Sequence, residues 1–516
     1  MSQNLISALL FATPENHYTD TLRSLASQDV RNIEIVLMHQ ANYTPDSAGI
    51  EQIIKGRFPV KTVSCDQDVK SSQLNAGFKA CKGAFIMLAD NASSKIEFKI
   101  GAAELFLLAM SREKESSMVY SDYERITGDT VEEIRLLKHH TGRVRDNQDF
   151  GPVWFLSHDA LKKAGYIDKD IKFAPLYDLR LKMARQGRLI HIANRYAGSL
   201  YSVTAEGKGH NVFDYLLASK ESQLEAENIL SAHLKEINAY LAPGAHYTPC
   251  DIRQGELQAS VIIPVNNRPV FIGQAIESVQ AQTVKEVEVI VVVNGGPNDP
   301  TVDAVKEYME GGSKYDASKP VVRLLVYEIN NLGLCLNMGA RVARGTYYVQ
   351  LDSDDRLKPD AVEKILAVYA SDPKIGMVIG SYEVWQKQED GSVTRMEDLP
   401  VVTHDEWTEE NGRNNLLRIN GAGAPRSIPI ELIRRIGFSV NEEPYARNYG
   451  EDYGMVLRVS EQHRIGRVWD AIYEVIRHSG GTDHSIDQAT IDRNDEAKDF
   501  MRLEAILRRQ ELNGSR

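Results

Sequence analysis

The chain has 516 residues, of which 42% are apolar and 26% charged, a composition that excludes a mostly disordered or fibrous protein. A chain of this length exceeds what one hydrophobic core supports, so two large domains or three small ones are expected. The formal charge of −12 argues against a nucleic-acid partner, because phosphate binding needs a concentrated cationic surface.

The N-terminal stretch MSQNLISALLFATPENH lacks the basic start and the small-residue cleavage site of a signal peptide. The longest strand-like apolar run, residues 289–293, is far too short to span a membrane. The sequence therefore predicts a cytoplasmic protein without a transmembrane segment. Its four cysteines form no CxxC pair and have no histidine at ligand spacing, so neither a disulfide framework nor a zinc site is indicated.

In the first half, LRSLASQDVRNIEIVLM is typical of a helix end, a short turn and a buried strand. The segment LNAGFKACKGAFIMLAD, which ends at Asp90, and the segment LKKAGY around Gly165 follow. A charged helical stretch at about 213–241 leads into APGAHYTPCDIRQGELQ, whose proline, glycine and polar content predicts a linker.

The second half repeats these segments in the same order, as IESVQAQTVKEVEVIVVV, LNMGARVARGTYYVQLD and LIRRIGF. One such match could arise by coincidence, but three in order indicate a duplication. Asn75 and Gly77 thereby pair with Asn337 and Gly339. The predicted organisation is a domain over residues 1–240, a linker over 241–257 and a second domain over 258–516.

The second copy alternates predicted strands and helices. Strand SVIIPV is ended by Asn266, strand VEVIVVV breaks at Asn294, and strand VVRLLVYE leads to a helix through Asn337. Strand TYYVQL then ends in an Asp-Ser-Asp-Asp turn that begins at Asp352. This alternation predicts a mostly parallel sheet with crossover helices. Ligands of such sheets bind beyond the carboxyl ends of the strands, so the polar loops there are expected to converge on one site.

This half resembles the family 2 glycosyltransferases of the GT-A fold. The resemblance is carried by SVIIPVNNRP, QAQTVKEVEVIVVVNGG, LNMGARVARG, LDSDD, GED at 450–452 and RHSGG from Arg477, in the family's order over about residues 258–480. It implies an α/β protein of two tandem, Rossmann-like GT-A domains. It also implies a metal-dependent inverting transferase that moves a sugar from a nucleotide diphosphate sugar to a hydroxyl of a glycan or other acceptor.

Departure of the nucleotide diphosphate leaves negative charge, which a divalent cation held by carboxylates can offset. By the resemblance, Asp354 and His478 bind Mn²⁺ or Mg²⁺, Asp355 supports them, and Asp352 contacts the ribose or the sugar. Without the resemblance, Asp-Ser-Asp-Asp is also a polar turn that caps the following helix, and a lone histidine is more often structural.

Glu451 and Asp452 precede an apolar-periodic stretch and are therefore expected at a helix N-terminus. The resemblance makes Asp452 the general base that deprotonates the acceptor hydroxyl. Acidic residues at this position also favour the helix macrodipole without any catalysis. The nucleotide-sugar site implied by the resemblance consists of Pro264, Asn266, Asn294, Asn337, Asp352, Ser353 and Glu451.

Two departures from the family leave the donor open. An Asn-Gly-Gly-Pro turn begins at Asn294 where the family often has Asp-Asp-Gly-Ser, and Leu336 replaces a frequent Arg or Lys. UDP-, GDP-, dTDP- and CMP-linked sugars all remain candidates. The sugar, the acceptor, the linkage and the oligomeric state are not decodable, and a lipid-linked acceptor would require peripheral docking on a membrane. The segment 385–425, with Trp385 and Trp407, is expected to shape acceptor binding.

The first copy keeps Asp90 but has Ala92 in place of Asp354. Aligning the segments from Arg188 and Arg464 puts Ser202 opposite His478, and Asp178 is aligned with Asp452. The first domain is therefore interpreted as a degenerate, non-catalytic copy that packs against the active half, shapes an acceptor groove or binds glycan.

Three alternatives compete with this interpretation. They are a non-catalytic carbohydrate- or protein-binding scaffold built from both domains, a metal-free transferase in the first half, and a nucleotidyltransferase. The nucleotidyltransferase would need a glycine-rich, arginine-containing loop after a first strand, and neither copy has one.

Overall fold

The computed structural model describes residues 5–14, 18–65, 69–194, 198–204, 219–388, 390–403, 412–419, 421, 423–442, 444, 449–478 and 488–514. The chain divides into two compact units, Met1–Ile237 and Asn238–Arg516. Trp407 and the Ser-Gly-Gly that follows His478 lie outside the described residues. In the part of the chain that is described, no helix is both long and apolar enough to cross a membrane.

The first unit contains two sheets. Its elements in chain order are β1 (Ile6–Phe11), α1 (Tyr18–Ala26), β2 (Ile33–Gln40), α2 (Ser47–Ile54), β3 (Val60–Cys65), α3 (Lys70–Ala80), β4 (Phe85–Ala89), β5 (Lys95–Phe98), α4 (Ala102–Arg112), β6 (Ser116–Ser121), β7 (Tyr123–Thr127), β8 (Thr130–Ile134), β9 (Val153–Ser157), α5 (His158–Ala164), α6 (Pro175–Gln186), β10 (Arg188–Ile192), β11 (Tyr201–Thr204) and α7 (Lys220–Glu236). The seven-stranded sheet has the order β10-β6-β9-β4-β1-β2-β3, and the four-stranded sheet has the order β5-β11-β7-β8.

The second unit is built around one nine-stranded sheet. Its elements are β12 (Leu257–Val265), α8 (Ile272–Gln280), β13 (Val287–Val293), α9 (Pro300–Lys306), β14 (Val322–Val326), α10 (Leu332–Val342), β15 (Gly345–Gln350), β16 (Arg356–Leu357), α11 (Ala361–Ser371), β17 (Ile375–Lys387), β18 (Val393–Arg395), α12 (Gly412–Asn415), β19 (Arg426–Pro429), α13 (Ile430–Ile436), α14 (Glu451–Gln462), β20 (Arg464–Arg477) and α15 (Gln488–Leu512). The order is β14-β13-β12-β15-β19-β17-β20-β16, with β18 paired to β17.

The two units share one topology. In each, four parallel strands lie side by side, followed by one antiparallel strand, β9 or β19, and then a parallel pair. In the second unit the long strand β17 also pairs with β18, and the long strand β20 also pairs with β16. The strands that correspond to the separate four-stranded sheet of the first unit are therefore part of the main sheet here. The predicted α/β class with mostly parallel sheets is confirmed.

Strand β13 illustrates why the central strands form. Apart from Glu288 it consists of valine and isoleucine, and all of its residues are buried, as expected for a parallel strand covered on both faces. The Glu288 carboxylate is buried as well, but it accepts hydrogen bonds from Ser260 at 2.7 Å and from Arg323 at 2.9 Å. Burial of this carboxylate is therefore balanced by partners, as a buried charge requires.

Residues 241–257, the expected linker, pack on the second unit. The backbone of Leu241 exchanges two hydrogen bonds with the side chain of Asn414, at 3.0 and 2.8 Å. The backbone N–H of Thr248 donates to the carbonyl of Gln462 at 2.9 Å. This segment is therefore held in place, and the division between the units falls before it, after Ile237.

Candidate active site

Three parallel strands of the second unit end at the same edge of the sheet. Strand β12 pairs with β13 on one side and with β15 on the other, all in parallel. Asn266 follows β12, Asn294 follows β13 and Asp352 follows β15, so the three polar loops lie along one edge. This edge is where open α/β sheets bind ligands.

The loops after β12 and β13 are tied together by side chains. The amide of Asn266 donates to Asn294 at 2.9 Å, and that of Asn294 donates to Asn330 at 3.3 Å. The carboxylate of Asp299 accepts from the backbone of Asn267 at 2.8 Å and caps α9 by accepting from Thr301 at 2.8 Å. These contacts fix a polar surface at this edge of the sheet.

The Asp-Ser-Asp-Asp turn is held by backbone contacts. Its first carbonyl, on Asp352, accepts from the N–H of Asp355 at 3.2 Å, and the Asp352 N–H donates to the Tyr473 hydroxyl at 3.1 Å. The Asp355 carboxylate accepts from the backbone of Ile476 at 2.8 Å and is buried, and Ser353 is buried as well. Asp355 thus anchors the turn to β20, and the turn presents Asp352 and Asp354.

Asp354 and His478 come together across the unit. The imidazole Nε2 lies 2.9 Å from a carboxylate oxygen of Asp354, and the imidazole stacks on Phe271 with ring centroids 4.4 Å apart. The Lys387 ammonium lies 4.2 Å from the centre of the same Phe271 ring. Stacking and hydrogen bonding together fix the orientation of the His478 ring.

This pair fits a hard divalent cation only in part. Among the described residues, no group of three or more His, Cys, Asp or Glu side chains is arranged to hold a metal ion. Asp354 and His478 offer two ligands. Mg²⁺-type cations commonly take only one or two ligands from the protein, with substrate phosphates and water completing the shell. The residues present therefore fit a cation that binds together with a diphosphate.

Glu451 and Asp452 are the first two residues of α14, as predicted. Gly450 precedes them with φ of 84°, a left-handed conformation that glycine adopts at little cost. The Asp452 carboxylate lies 2.6 Å from a guanidinium nitrogen of Arg426, the first residue of β19, and its other oxygen accepts from the backbone N–H of Tyr453 at 2.7 Å. Asp452 is therefore held from two sides.

The acidic side chains have different protonation tendencies. Burial raises the pKa of Asp352, and it raises that of Asp355 well above the usual value. Burial, reinforced by the charge of Asp452, raises the pKa of Glu451 to about 7. Burial also acts to raise the pKa of Asp452, but the positive charges of Arg426 and Lys498 outweigh it and lower that pKa. At neutral pH, Asp452 is the ionised partner of the pair.

Asn337 is held in a structural role. Its amide donates to the carbonyl of Phe438 at 2.9 Å and accepts from the Phe438 N–H at 2.9 Å. In the first unit, Asn75 makes the same two contacts with Ile167, at 2.8 and 3.1 Å. Both polar ends of Asn337 thus bond to backbone, which favours a structural role over its expected place among the donor-binding residues. Pro264 lies inside β12 and is buried. It has no N–H for a hydrogen bond, so it contributes the shape of the site rather than a hydrogen-bond donor.

The corresponding edge of the first unit has different contacts. Asp90 forms an ion pair with Lys70 at 2.5 Å. The amide of Asn91 exchanges two hydrogen bonds with the backbone of Phe11, at 2.8 and 2.9 Å. Ala92 then lines a cleft of about 230 Å³ together with Lys70 and Phe11. A neutralised aspartate and a latched loop occupy the place of the acidic turn.

The helices correct one alignment between the copies. Helices α6 and α14 both have 12 residues, and in each case one residue separates the helix from the next strand. Their first residues are Pro175 and Glu451, so Leu176 lies opposite Asp452. Asp178, expected there, forms an ion pair with Lys182 at 2.8 Å. The first unit thus lacks the candidate base itself.

Strand pairing corrects a second alignment. A Tyr-Glu dipeptide occurs at 123–124 and again at 382–383, so Glu124 is the counterpart of Glu383. Glu383 pairs with Glu474, and Glu124 pairs with Ser202. Ser202 therefore corresponds to Glu474 and not to His478. The counterpart of His478 lies beyond Thr204, outside the described residues.

Sequence reasoning missed three residues at this site. Arg426 contacts the Asp452 carboxylate and Tyr473 accepts from the backbone N–H of Asp352; both come from strands that are distant in the sequence, and no local pattern marks either one. Asp299 had a local signal, since an aspartate before a proline is typical of a helix start.

Comparison with known proteins places the second unit in a family. The model of "Glycosyl transferase family 2" matches residues 260–420. Chondroitin synthase of Escherichia coli is 34% identical over 119 residues, which are 23% of this chain and 16% of that protein. Hyaluronan synthase of Pasteurella multocida is 32% identical over 119 residues, which are 23% of this chain and 11% of that protein. The matched segment is thus a small part of these relatives.

Among solved structures, Staphylococcus aureus TarS residues 1–349 in complex with UDP-GlcNAc is 17% identical, with 49% of this chain and 72% of that chain covered. The TM-score is 0.36, too low to assign a ligand or a reaction. The order of the motifs, the acidic edge of the sheet and the family match agree. Residues 260–420, within the second unit, therefore form a glycosyl transferase family 2 domain.

Proposed function

We propose that the second unit is a metal-dependent inverting glycosyltransferase that moves a sugar from a nucleotide diphosphate sugar to a hydroxyl of a glycan or other acceptor. One observation carries the proposal. The side chains of Asp352, Asp354 and Asp452 come from two separate motifs, yet both motifs reach the carboxyl edge of the sheet. Strand β15 ends beside the start of β19, where Arg426 contacts Asp452 at 2.6 Å. Helix capping alone gives no reason for the two motifs to meet.

In the proposed reaction, Asp452 accepts the proton of the acceptor hydroxyl as the oxygen attacks the anomeric carbon from the side opposite the diphosphate. A bound Mn²⁺ or Mg²⁺, held by Asp354 and His478, would offset the charge on the departing diphosphate. Lys387, beside the Phe271 ring that supports His478, adds positive charge on the same side.

The donor is proposed to lie along the loops after β12, β13 and β15. Asn266 and Asn294 supply amides and the buried Pro264 supplies shape. Asp352 and Glu451 face the sugar and ribose side, and Ser353 supports the turn. The first unit is proposed to be non-catalytic, because Ala92 and Leu176 replace the metal carboxylate and the base.

Donor hydrolysis tests the proposal with the full chain. UDP-, GDP-, dTDP- and CMP-linked sugars are incubated with Mn²⁺, and release of the nucleotide is measured. We expect turnover of at least one donor and its loss on chelation, with recovery when Mn²⁺ is returned. Turnover that is indifferent to chelator would contradict Asp354 as a metal ligand, and no turnover of any donor would favour the scaffold alternative.

The variant Asp452→Asn tests the base. General-base help is typically worth about 10²–10⁴-fold, so the rate should fall by that amount. Binding of the free nucleotide in Mn²⁺, measured by calorimetry, should stay unchanged. Retained turnover in this variant would remove Asp452 from the role.

A further inference from the structure

Arg426 lies among the acidic side chains of the proposed site. It is the first residue of β19, the antiparallel strand between β15 and β17. Its side chain is only 16% exposed, and Nη2 lies 2.6 Å from Oδ2 of Asp452. The Nε–H is buried and has no hydrogen-bond partner among the described residues. A buried guanidinium is costly unless it is paired, so its place here needs a reason.

The charges around Arg426 supply that reason. The carboxylates of Asp452, Asp352 and Glu451 all act on it, together with the hydroxyl of Tyr348. Burial alone would lower the pKa of Arg426, but these acidic groups outweigh it and raise that pKa. Arg426 therefore stays charged and balances a group of carboxylates that come from different segments of the chain.

The Asp452 carboxylate faces charged or titratable groups from four elements. These groups are Arg426 on β19, Lys498 on α15, Glu451 on α14, Tyr348 on β15 and Asp352 just after β15. Of these, Arg426 makes the 2.6 Å contact with it. The Tyr453 N–H holds the other oxygen at 2.7 Å, so the two contacts together fix the carboxylate plane.

The duplication provides an independent comparison. Tyr348 pairs with Ile428 in the second unit, and its counterpart Ile86 pairs with Leu156 in the first. Two residues before these partners stand Arg426 and Trp154. The indole N–H of Trp154 donates to the carbonyl of Gly151 at 2.8 Å. The arginine is thus absent in the copy that also lacks the base, although Asp90 is kept there.

We propose that Arg426 is the positioning residue of the glycosyl transfer: it holds the Asp452 carboxylate in place and ionised, ready to accept the acceptor's proton. This role rests on the proposed function. The role distinguishes Arg426 from an arginine in a purely structural ion pair. Arg323 and Glu288 form such a pair in the same sheet, with 2.9 Å between the guanidinium and the carboxylate. Arg323→Gln is therefore the matched control.

The first test is a thermal-unfolding cycle at pH 7 that needs no substrate. Asp452→Asn is made in the wild-type chain and in Arg426→Gln. With Arg426 present, loss of the carboxylate removes a partner and should lower the melting temperature. Without Arg426, the buried carboxylate has lost its 2.6 Å ion-pair partner, so Asp452→Asn should raise it. The same sign in both backgrounds overturns the proposal.

The second test is the pH profile of donor hydrolysis at saturating Mn²⁺, with the nucleotide sugar that the wild-type chain turns over. An adjacent arginine typically lowers an aspartate pKa by about 1–3 units, so the acidic limb should move up by about that much in Arg426→Gln. Arg426→Lys, which keeps the charge and guards against misfolding of the glutamine variant, should stay nearer the wild-type limb. Arg323→Gln should not move it.

The outcomes separate the two proposals. If the wild-type chain hydrolyses no donor, the proposed function fails and this role fails with it. If wild type is active and the limb of Arg426→Gln is unmoved, this role alone is overturned. A limb that moves, with unchanged affinity for the free nucleotide, supports the role, whereas weakened nucleotide affinity with an unmoved limb overturns it.

Discussion

Glu451 and Asp452 are neighbours in the sequence, yet their pKa values shift in opposite directions. Asp452 contacts Arg426 and stays ionised, whereas Glu451 is buried beside that negative charge and has its pKa raised to about 7. A base with a pKa near the working pH is often effective, which makes Glu451 the rival for the role. The ion pair at 2.6 Å favours Asp452, since it fixes one carboxylate in its ionised form.

Glu451→Gln gives a prediction about stability. The folded-state pKa of Glu451 is raised, so the folded chain keeps a proton that the unfolded chain releases between about pH 4.5 and 7. Wild-type stability therefore falls as the pH rises through this window, and the amide of the Glu451→Gln variant, which does not titrate, removes that fall. When the pH is raised from 5 to 8, the free energy of unfolding of the variant should increase by about 2 kcal/mol relative to that of wild type.

Thermal unfolding of both chains at the two pH values measures this difference. Glu363→Gln, on the exposed face of α11, controls for the loss of one negative charge. A difference between Glu451→Gln and wild type that is equal at pH 5 and pH 8 would contradict the raised pKa.

At the scale of elements, the asparagine of the repeated Asn-x-Gly bonds to the backbone that follows a neighbouring helix. Asn337 ties α10 to Phe438, the second residue after α13, and a Cβ on Gly339 would lie 2.7 Å from Ile262. In the first unit, a Cβ on Gly77 would lie 2.5 Å from Met38. The pattern is retained in both copies because close helix-to-strand packing needs it.

Asn337→Ala should therefore destabilise the second unit, because two backbone groups of Phe438 lose their partner. The expected cost is about 1–3 kcal/mol in urea unfolding. Asn75→Ala should cost a similar amount in the first unit. The affinity for free nucleotide in Mn²⁺ should not change in either. A loss of affinity in Asn337→Ala at unchanged stability would return this residue to the donor site.

The elements were largely predictable from the sequence, and the contacts between them were not. Strand Val287–Val293 and the start of α14 at Glu451 follow directly from apolar runs and a helix start signal. Arg426 could not be found that way, because its partner Asp452 lies on another element and no spacing links them. The amide contacts of Asn337 were hidden for the same reason.

At the scale of the whole molecule, the duplication shows what the fold needs and what the proposed chemistry adds. Both units have the same order of strands in the main sheet, buried central strands, and an asparagine (Asn75 or Asn337) that bonds to backbone after a neighbouring helix. The sequence revealed the repeat and the change from Asp354 to Ala92. It could not place Leu176 opposite Asp452, because that register follows from the equal length of two helices.

Asp90 and Asp352 form a matched pair for a final prediction, since each follows its strand, β4 or β15, at the same edge of the sheet. Asp352→Ala should abolish donor hydrolysis in the full chain, because it removes a carboxylate from the acidic edge. Asp90→Ala should leave it unchanged, because Lys70 already forms an ion pair with Asp90 at 2.5 Å and Leu176 on α6 stands opposite Asp452.

Nucleotide release in Mn²⁺ measures both effects, and circular dichroism checks that each variant is folded. Asp90→Ala leaves the Lys70 ammonium without its carboxylate, so the double variant Asp90→Ala with Lys70→Leu is the stricter control. Leucine is chosen because Lys70 is the first residue of α3 and the first residue of α10 in the second copy is Leu332. If that double variant also lost donor hydrolysis while folded, the first unit would take part in turnover, and the division into a catalytic and a non-catalytic copy would have to be given up.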